Sequence, residues 1–498
     1  MTAIWTIRPR HKLAKLLAYI RYPLNSSERK LFRGRLIETI EFNGFQRRQF
    51  AGPKSVSYSG LLLDAEYGIS VEDGLPVFRD ARTPTISVII PNYNHAAFLK
   101  ERIRSILDQE IEFHELIILD DASTDDSRNV ILETIRDISV PVRLVFNETN
   151  SGSIFRQWEK GFELAKGDLI WLCESDDTCD PRFLGTLVPY FSDPSVMMAF
   201  GRIDSIDREG IVVPQSGLSL SASKFWGAPI IASAYSWFNG PFGNKNIVAN
   251  VGGCLFRRQE FSPDIFSELA SYRICGDWYL YSRVARGGRI AYDPNAKAYF
   301  RVHTSNSSKA SLKSESFYNE HVRIAQALRR HYEVNKSAIR LLLQNAWAIC
   351  VANLGYAAGR EFAQGGLIGE VMKTPRNINH ILLILAACDE HVVSAACRLA
   401  NTVSGRGEDV TVLLSGDASF FDRAHGFLSP SVSILPSIFA ERMGLDLFLT
   451  EFGITMVWVS DHEIGGMGEA CRSLRIPLHK SSFEGLDFSA LGPEARSG

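Results

Sequence analysis

TISVIIPNYNHAAFLKERIRSILDQ, Thr85 to Gln109, joins two periodicities in one run. TISVIIP is a continuous, largely β-branched stretch that reads as a buried strand, whereas Leu99, Ile103, Ile106 and Leu107 fall on one face of a helix. The same pair of textures then repeats. ELIILDD (115–121) reads as a strand and STDDSRNVILETIRD as a helix, VRLVFN (142–147) as a strand, IFRQWEKGFELAKG as a helix, and DLIWLCE (168–174) as a strand again. Strands alternating with helices imply right-handed crossovers, and so predict an α/β fold with a mostly parallel sheet. In such sheets ligands bind beyond the carboxyl ends of the strands, where the strand order reverses.

At 498 residues the chain is too long for one ordinary core. Its texture divides it into a basic lead-in (1–83), a first α/β domain (84–333), a helical connector built on SAIRLLLQNAWAICVANLGYAAGREF (334–376) and a Rossmann-like α/β domain (377–498). In the last part HILLILAA, DVTVLLS, VSILP and TMVWVS are strand-like, while HVVSAACRLANTVSGRG, AERMGLDLFLTEFG and GEACRSLR are helix-like. With 45% hydrophobic and 22% charged residues the chain is excluded from the disordered and low-complexity classes. A formal charge of -2 gives no global pull toward nucleic acid, and none is expected as a partner. The 8 cysteines form no C-x-x-C pair and no metal-finger spacing, which suits the reducing cytoplasm.

The best apolar run, HILLILAAC, is about half of a membrane span, so the chain is expected not to be integral. The start of the sequence lacks the pattern of a signal peptide. It has RPRHKLAKLLAYIRYPL instead, where Leu13, Leu16, Leu17 and Ile20 recur at helical spacing among arginines and lysines. This suits either a helix lying on anionic lipid, at the inner face of the cell membrane, or a solvated face packed on the next domain.

Acidic side chains gather where strands end. Asp120 and Asp121 close ELIILDD, and Glu174, Asp176 and Asp177 follow the apolar run of WLCESDDTCDP. Adjacent carboxylates repel, more so beside a low-dielectric core, so a cation or hydrogen-bond donors must offset them. Oxygen ligands select a hard ion, Mg²⁺ or Mn²⁺, which commonly leaves positions open for substrate phosphates. A helix start, with Asp180 as N-cap and Pro181 at the first helical position, explains those two residues but not the three before them.

SVIIPNYNHAAFLKERIRSILDQ, ELIILDDASTDDS and AKGDLIWLCESDD resemble the nucleotide-binding half of a family 2 glycosyltransferase of GT-A fold. VGGCLFRRQEF, CGDWYLYSRVARGG and FRVHTSNSS resemble its acceptor half, and together the motifs span Thr85 to Ser308 in order. The resemblance implies inverting transfer of a sugar from a nucleoside diphosphate sugar, UDP or dTDP in preference, to an acceptor hydroxyl on a glycan or lipid-linked glycan. The implied setting is surface polysaccharide assembly. It further implies that Pro91 and Tyr93 line the nucleobase pocket, and that Asp121, with Asp120 beside it, accepts a hydrogen bond from the base. Asp176 would approach the ribose or sugar, Asp177 would coordinate Mn²⁺ or Mg²⁺, and His303 would reach the metal or diphosphate. Asp277 in GDW matches the catalytic base, a carboxylate that takes the acceptor proton as the anomeric carbon becomes cationic. An N-cap role for Asp277 is compatible with that. Relatives often carry an aspartate where Glu174 stands and an acidic residue where Gly276 stands.

Arg156 and Arg301 are candidate phosphate contacts, and Gly252 with Gly253 would allow close backbone approach near the acceptor. LANTVSGRGEDVTVLLS is similar to the opening βαβ unit of a GT-B glycosyltransferase. That half of the GT-B fold is not the main donor-binding half, so the C-terminal domain is expected to be non-catalytic, to handle acceptor, or to be a truncated second transferase. Two other functions share such a fold. A sugar nucleotidyltransferase would need a glycine- and arginine-rich loop where PNYN stands, and a silent sugar-nucleotide-binding scaffold would need no residue such as Asp277.

Overall fold

Ile86, Val88, Ile89 and Ile90 are all buried in the first parallel strand, because helices cover both faces of the sheet at that point. The structure is a computed structural model. It describes residues 84–192, 196–213, 224–259, 263–303, 312–332 and 336–355, a short antiparallel hairpin (69–72 with 75–78), segments between 380 and 480, and a few single positions. The basic helix expected over Leu13 to Ile20 lies outside the described residues.

The alternation seen in the sequence is β1 (Ile86–Asn92), α1 (Ala96–Leu107), β2 (Glu115–Asp120), α2 (Ser127–Thr134), β3 (Val142–Phe146), α3 (Ile154–Leu164) and β4 (Leu169–Leu172). These four strands are parallel, with Val88 level with both Leu116 and Trp171. The chain continues through β5 (Thr178–Cys179), α4 (Phe183–Leu187), β6 (Val196–Ile206), β7 (Ile230–Ser233), β8 (Cys254–Arg257), α5 (Pro263–Ala270), α6 (Gly276–Val284) and β9 (Arg289–Arg301). The nine-stranded sheet has the order β3-β2-β1-β4-β8-β6-β9-β5, with β7 on β9. Strand β8 runs antiparallel to both β4 and β6, which makes the sheet mixed.

Two features of this topology place the site. The strand order reverses between β1 and β4, so their carboxyl ends, PNYN and ESDD, flank one crevice. The end of the long strand β9 pairs with β5, Ala298 against Cys179 and Tyr299 against Thr178, which brings the residues after Arg301 back to the acidic turn. The expected helix start at Asp180 is displaced: the Asp180 carboxylate accepts the Arg182 N–H at 3.0 Å, and α4 begins at Phe183.

Helices α7 (Glu315–Tyr332) and α8 (Lys336–Leu354) pack on this domain through Leu328, Tyr332, Ile339 and Leu342. The connector helix is shorter than its sequence pattern, ending before Gly355 at φ +94°, a left-handed conformation suited to glycine. Beyond it come β10 (His380–Ala386), α9 (Glu390–Gly405), β11 (Asp409–Ser415), β12 (Ser433–Pro436), α10 (Leu445–Glu451), β13 (Met456–Val459), α11 (Met467–Leu474) and β14 (Leu478–Lys480). The five strands are parallel in the order β12-β11-β10-β13-β14, a Rossmann-like sheet with an apolar cluster on each face. Thr411 on β11 donates a hydrogen bond to the Gly287 carbonyl at 2.9 Å and so joins the two domains. Among the described residues no helix is long and apolar enough to cross a membrane.

Candidate active site

The loops after β1 and β2 are stitched to each other. Asn94, at φ +57°, accepts N–H bonds from Thr124 (2.7 Å) and Asp125 (3.3 Å), and its own N–H donates to Ser123 Oγ at 2.9 Å. Asparagine tolerates this backbone conformation better than most side chains. Asp120 is part of the stitching: its carboxylate accepts from Asn92 Nδ2 (2.9 Å), Ser123 N–H (3.1 Å) and Arg128 Nε (3.2 Å). Asp121 is equally engaged, taking Asn147 Nδ2 (2.7 Å), Ser151 N–H (2.9 Å), Ser151 Oγ (2.7 Å) and Gln157 Nε2 (2.9 Å). A carboxylate has roughly four acceptor sites, so protein donors account for all of them at Asp121. Pro91 is buried at the end of β1, and Tyr93 stands 47% exposed beside it.

In the turn after β4, neighbouring aspartates point to different partners. The Asp176 carboxylate meets His303 Nε2 at 2.9 Å and lies 4.0 Å from His95 Nδ1. One ligand atom from each of His95, Asp176 and His303 lies within 4.8 Å of the others, the spacing of a metal site. The two imidazoles are 5.9 Å apart edge to face, and Phe98 packs on His303 at 5.0 Å. Ser175 Oγ, 2.8 Å from His95 Nδ1, fixes that ring. Burial pushes the Asp176 carboxyl up, but the His303 hydrogen bond and the nearby His95 outweigh it and hold the group below the usual carboxylate range.

Asp177 is turned inward and is 1% exposed. One oxygen accepts the Arg301 N–H at 2.7 Å and the other accepts Asn250 Nδ2, so Asp177 joins the turn to β9 and to the glycine turn at Gly252 and Gly253. Burial, then the charges of Asp176 and Glu174, drive its carboxyl well above the usual range. Part of the offset comes from within the protein. Arg102 on α1 is 1% exposed, lies 5.3 Å over the Trp171 ring, and its charge opposes the rise at both Asp177 and Glu174.

Arg301 is also fully buried. It donates to the Asp176 carbonyl (2.8 Å), the Asp207 and Arg208 carbonyls and Glu101 (2.7 Å), which makes it a clasp of the turn rather than an open phosphate contact. Arg156 is exposed on α3.

Asp277 lies in the first turn of α6, a helix buried almost all round. One oxygen accepts the Trp278 N–H at 2.6 Å and the other accepts Asn246 Nδ2 at 2.7 Å. Burial raises its carboxyl to about 7 despite those two bonds. Glu174 is raised to about 8 by burial, then by the charges of Asp176 and of Asp277, which puts it within electrostatic reach of both. The acidic turn and the start of α6 therefore lie within electrostatic reach of each other. Gly276 follows from packing, because a Cβ there would lie 2.4 Å from the Phe155 ring.

Residues 87–261 match the family model described as glycosyl transferase family 2. Those residues form a glycosyltransferase domain that resembles family 2. An uncharacterized glycosyltransferase of Nostoc sp. (strain PCC 7120) is 28% identical over 235 residues, covering 46% of this chain and 69% of that protein. A Bacillus subtilis (strain 168) protein named for teichuronic acid biosynthesis, the glycosyltransferase TuaG, is 31% identical over 127 residues, covering 26% of this chain and 50% of that one. Among solved structures, S. aureus TarS 1-349 in complex with UDP-GlcNAc is 18% identical and covers 58% of this chain and 76% of that one, at a TM-score of 0.38, too distant to carry any argument.

In the glycosyltransferase domain, His95, Arg102, Asn246 and Asn250 are candidate site residues that the sequence analysis does not single out. His95 had one signal, its place directly after PNYN at the end of the first strand. The two asparagines sit in an irregular stretch with no periodicity to mark them.

Proposed function

We propose that the domain transfers a sugar, with inversion, from a nucleoside diphosphate sugar to an acceptor hydroxyl, with Asp277 as general base. The observation that carries this reading is a pair of carboxylates in one site with opposite environments. Asp176 is held ionised by histidine partners, and Asp277 is held near neutrality by burial. Such a split is how one site keeps a charged ligand and a proton acceptor side by side.

His95, Asp176 and His303 are the residues that would hold the metal. Their donor set, one carboxylate and two imidazoles, fits Mn²⁺ better than Mg²⁺, because Mg²⁺ binds nitrogen reluctantly. This moves the expected carboxylate ligand from Asp177 to Asp176, since both Asp177 oxygens are engaged inside the protein. A metal held there would supply positive charge to offset the charge growing on the departing phosphate.

Tyr93 offers an open ring for the nucleobase, while Asp120 and Asp121 hold the loops around it. Asp277 accepts the proton of the acceptor hydroxyl as its oxygen bonds to the anomeric carbon. The bond to phosphate breaks with its electron pair on the diphosphate. The likeness to TuaG, a protein named for teichuronic acid biosynthesis, supports an acceptor in polysaccharide biosynthesis.

The test is release of nucleoside diphosphate from a panel of UDP- and dTDP-sugars with Mn²⁺. At least one donor should be hydrolysed slowly and raise the Tm of the protein. Inertness toward every donor, with no change in Tm, removes the proposal.

A further inference from the structure

The loop that delivers Asp277 is anchored from a distant helix. Glu320 on α7 is buried, and its carboxylate accepts three consecutive backbone N–H bonds, from Arg273 (2.8 Å), Ile274 (2.9 Å) and Cys275 (2.8 Å). Cys275 is the N-cap of α6 and makes no side-chain cap bond, so the approach to the helix depends on groups outside it. α7 is itself fixed to α6, because Tyr332 Oη donates to the Ser282 carbonyl at 2.6 Å and His321 packs edge to face on Trp278 at 6.2 Å.

We propose that Glu320 is a positioning residue for the base: by gripping the three amides before α6 it sets where the Asp277 carboxylate stands and in what electrostatic field. The inference rests on Asp277 being the base. Three charge-assisted bonds to one buried carboxylate resist displacement more than a single cap would. Asp277 is faced by Glu174 from the acidic turn, Cys254 from β8, Tyr281 from its own helix, Cys275 before it, Asn246 from the preceding loop and Glu320 from α7. After burial, the Glu320 charge is what pushes its carboxyl upward, against the bonds from Trp278 and Asn246. Removing the charge while keeping the shape should therefore lower the proton affinity of Asp277.

The experiment uses the full chain labelled with ¹³Cγ-aspartate, the Asp277 signal being the one absent from Asp277→Asn. In Glu320→Gln its titration midpoint should fall below the wild-type value, and the acid limb of donor turnover with Mn²⁺ should move the same way. kcat should drop about tenfold with the donor KM unchanged. Glu320→Asp, which keeps the charge on a shorter stem, should lose kcat and move the midpoint less. An unmoved midpoint and limb in Glu320→Gln, or failure of both variants to fold, assigns Glu320 to the scaffold alone and overturns the proposal. If the midpoint moves but Asp277→Asn keeps full transfer, the base assignment fails while the coupling of Glu320 to Asp277 stands.

Discussion

At the scale of single residues, adjacency in the sequence hides opposite roles. Asp176 and Asp177 follow a strand end, and the turn sends one toward His303 and the other under β9. Asp177→Ala should leave the Arg301 N–H and the Asn250 amide unsatisfied, costing about 1–3 kcal/mol in urea unfolding. Asp277 carries a pH signature of its own. Its folded carboxyl is raised to about 7 from an unfolded value of about 4, so the folded state holds the proton more tightly between those values. Its contribution to stability is present in acid and is lost as pH rises through that window, and Asp277→Asn should flatten this part of the stability–pH curve. Transfer has the opposite dependence, rising through about pH 7 as the base ionises. A wild-type rate independent of pH from 5 to 8 would contradict the assignment.

At the scale of elements, the strands and crossover helices were legible because covered parallel strands are buried along their whole length and so carry a continuous apolar run, as Val88 to Ile90 in β1 and Leu116 to Leu119 in β2 do. What was not legible is contact between elements far apart in the chain. His95 reaches Asp176 only because β1 and β4 are adjacent in the sheet, and Glu320 reaches the α6 loop from 45 residues away in sequence. Nothing in periodicity or spacing reports either pairing. The glycine in GDW looked like a departure from an acidic pair, and Phe155 explains it. Gly276→Ala should destabilise the fold by about 1–3 kcal/mol through overpacking, and Phe155→Leu in the same chain should recover part of the loss. Additive losses in that double variant would show that the two residues do not compete for one space.

At the scale of the whole molecule, the apolar clusters divide between the two sheets, one around the nine-stranded sheet and one on each face of the parallel five-stranded sheet. Calorimetry should resolve two unfolding transitions, and UDP with Mn²⁺ should raise only the one that belongs to the glycosyltransferase domain. A nucleotide shift in both would place part of the donor site on the C-terminal domain. The division of labour between two carboxylates is tested most directly by titration calorimetry of the intact donor with Mn²⁺ in three proteins. Asp277→Asn should bind donor as tightly as wild type while losing transfer by about 10²-fold or more. Asp176→Asn should lose the Mn²⁺-dependent part of binding. Equal loss of donor binding in both variants, or retained Mn²⁺-dependent binding in Asp176→Asn, would contradict it.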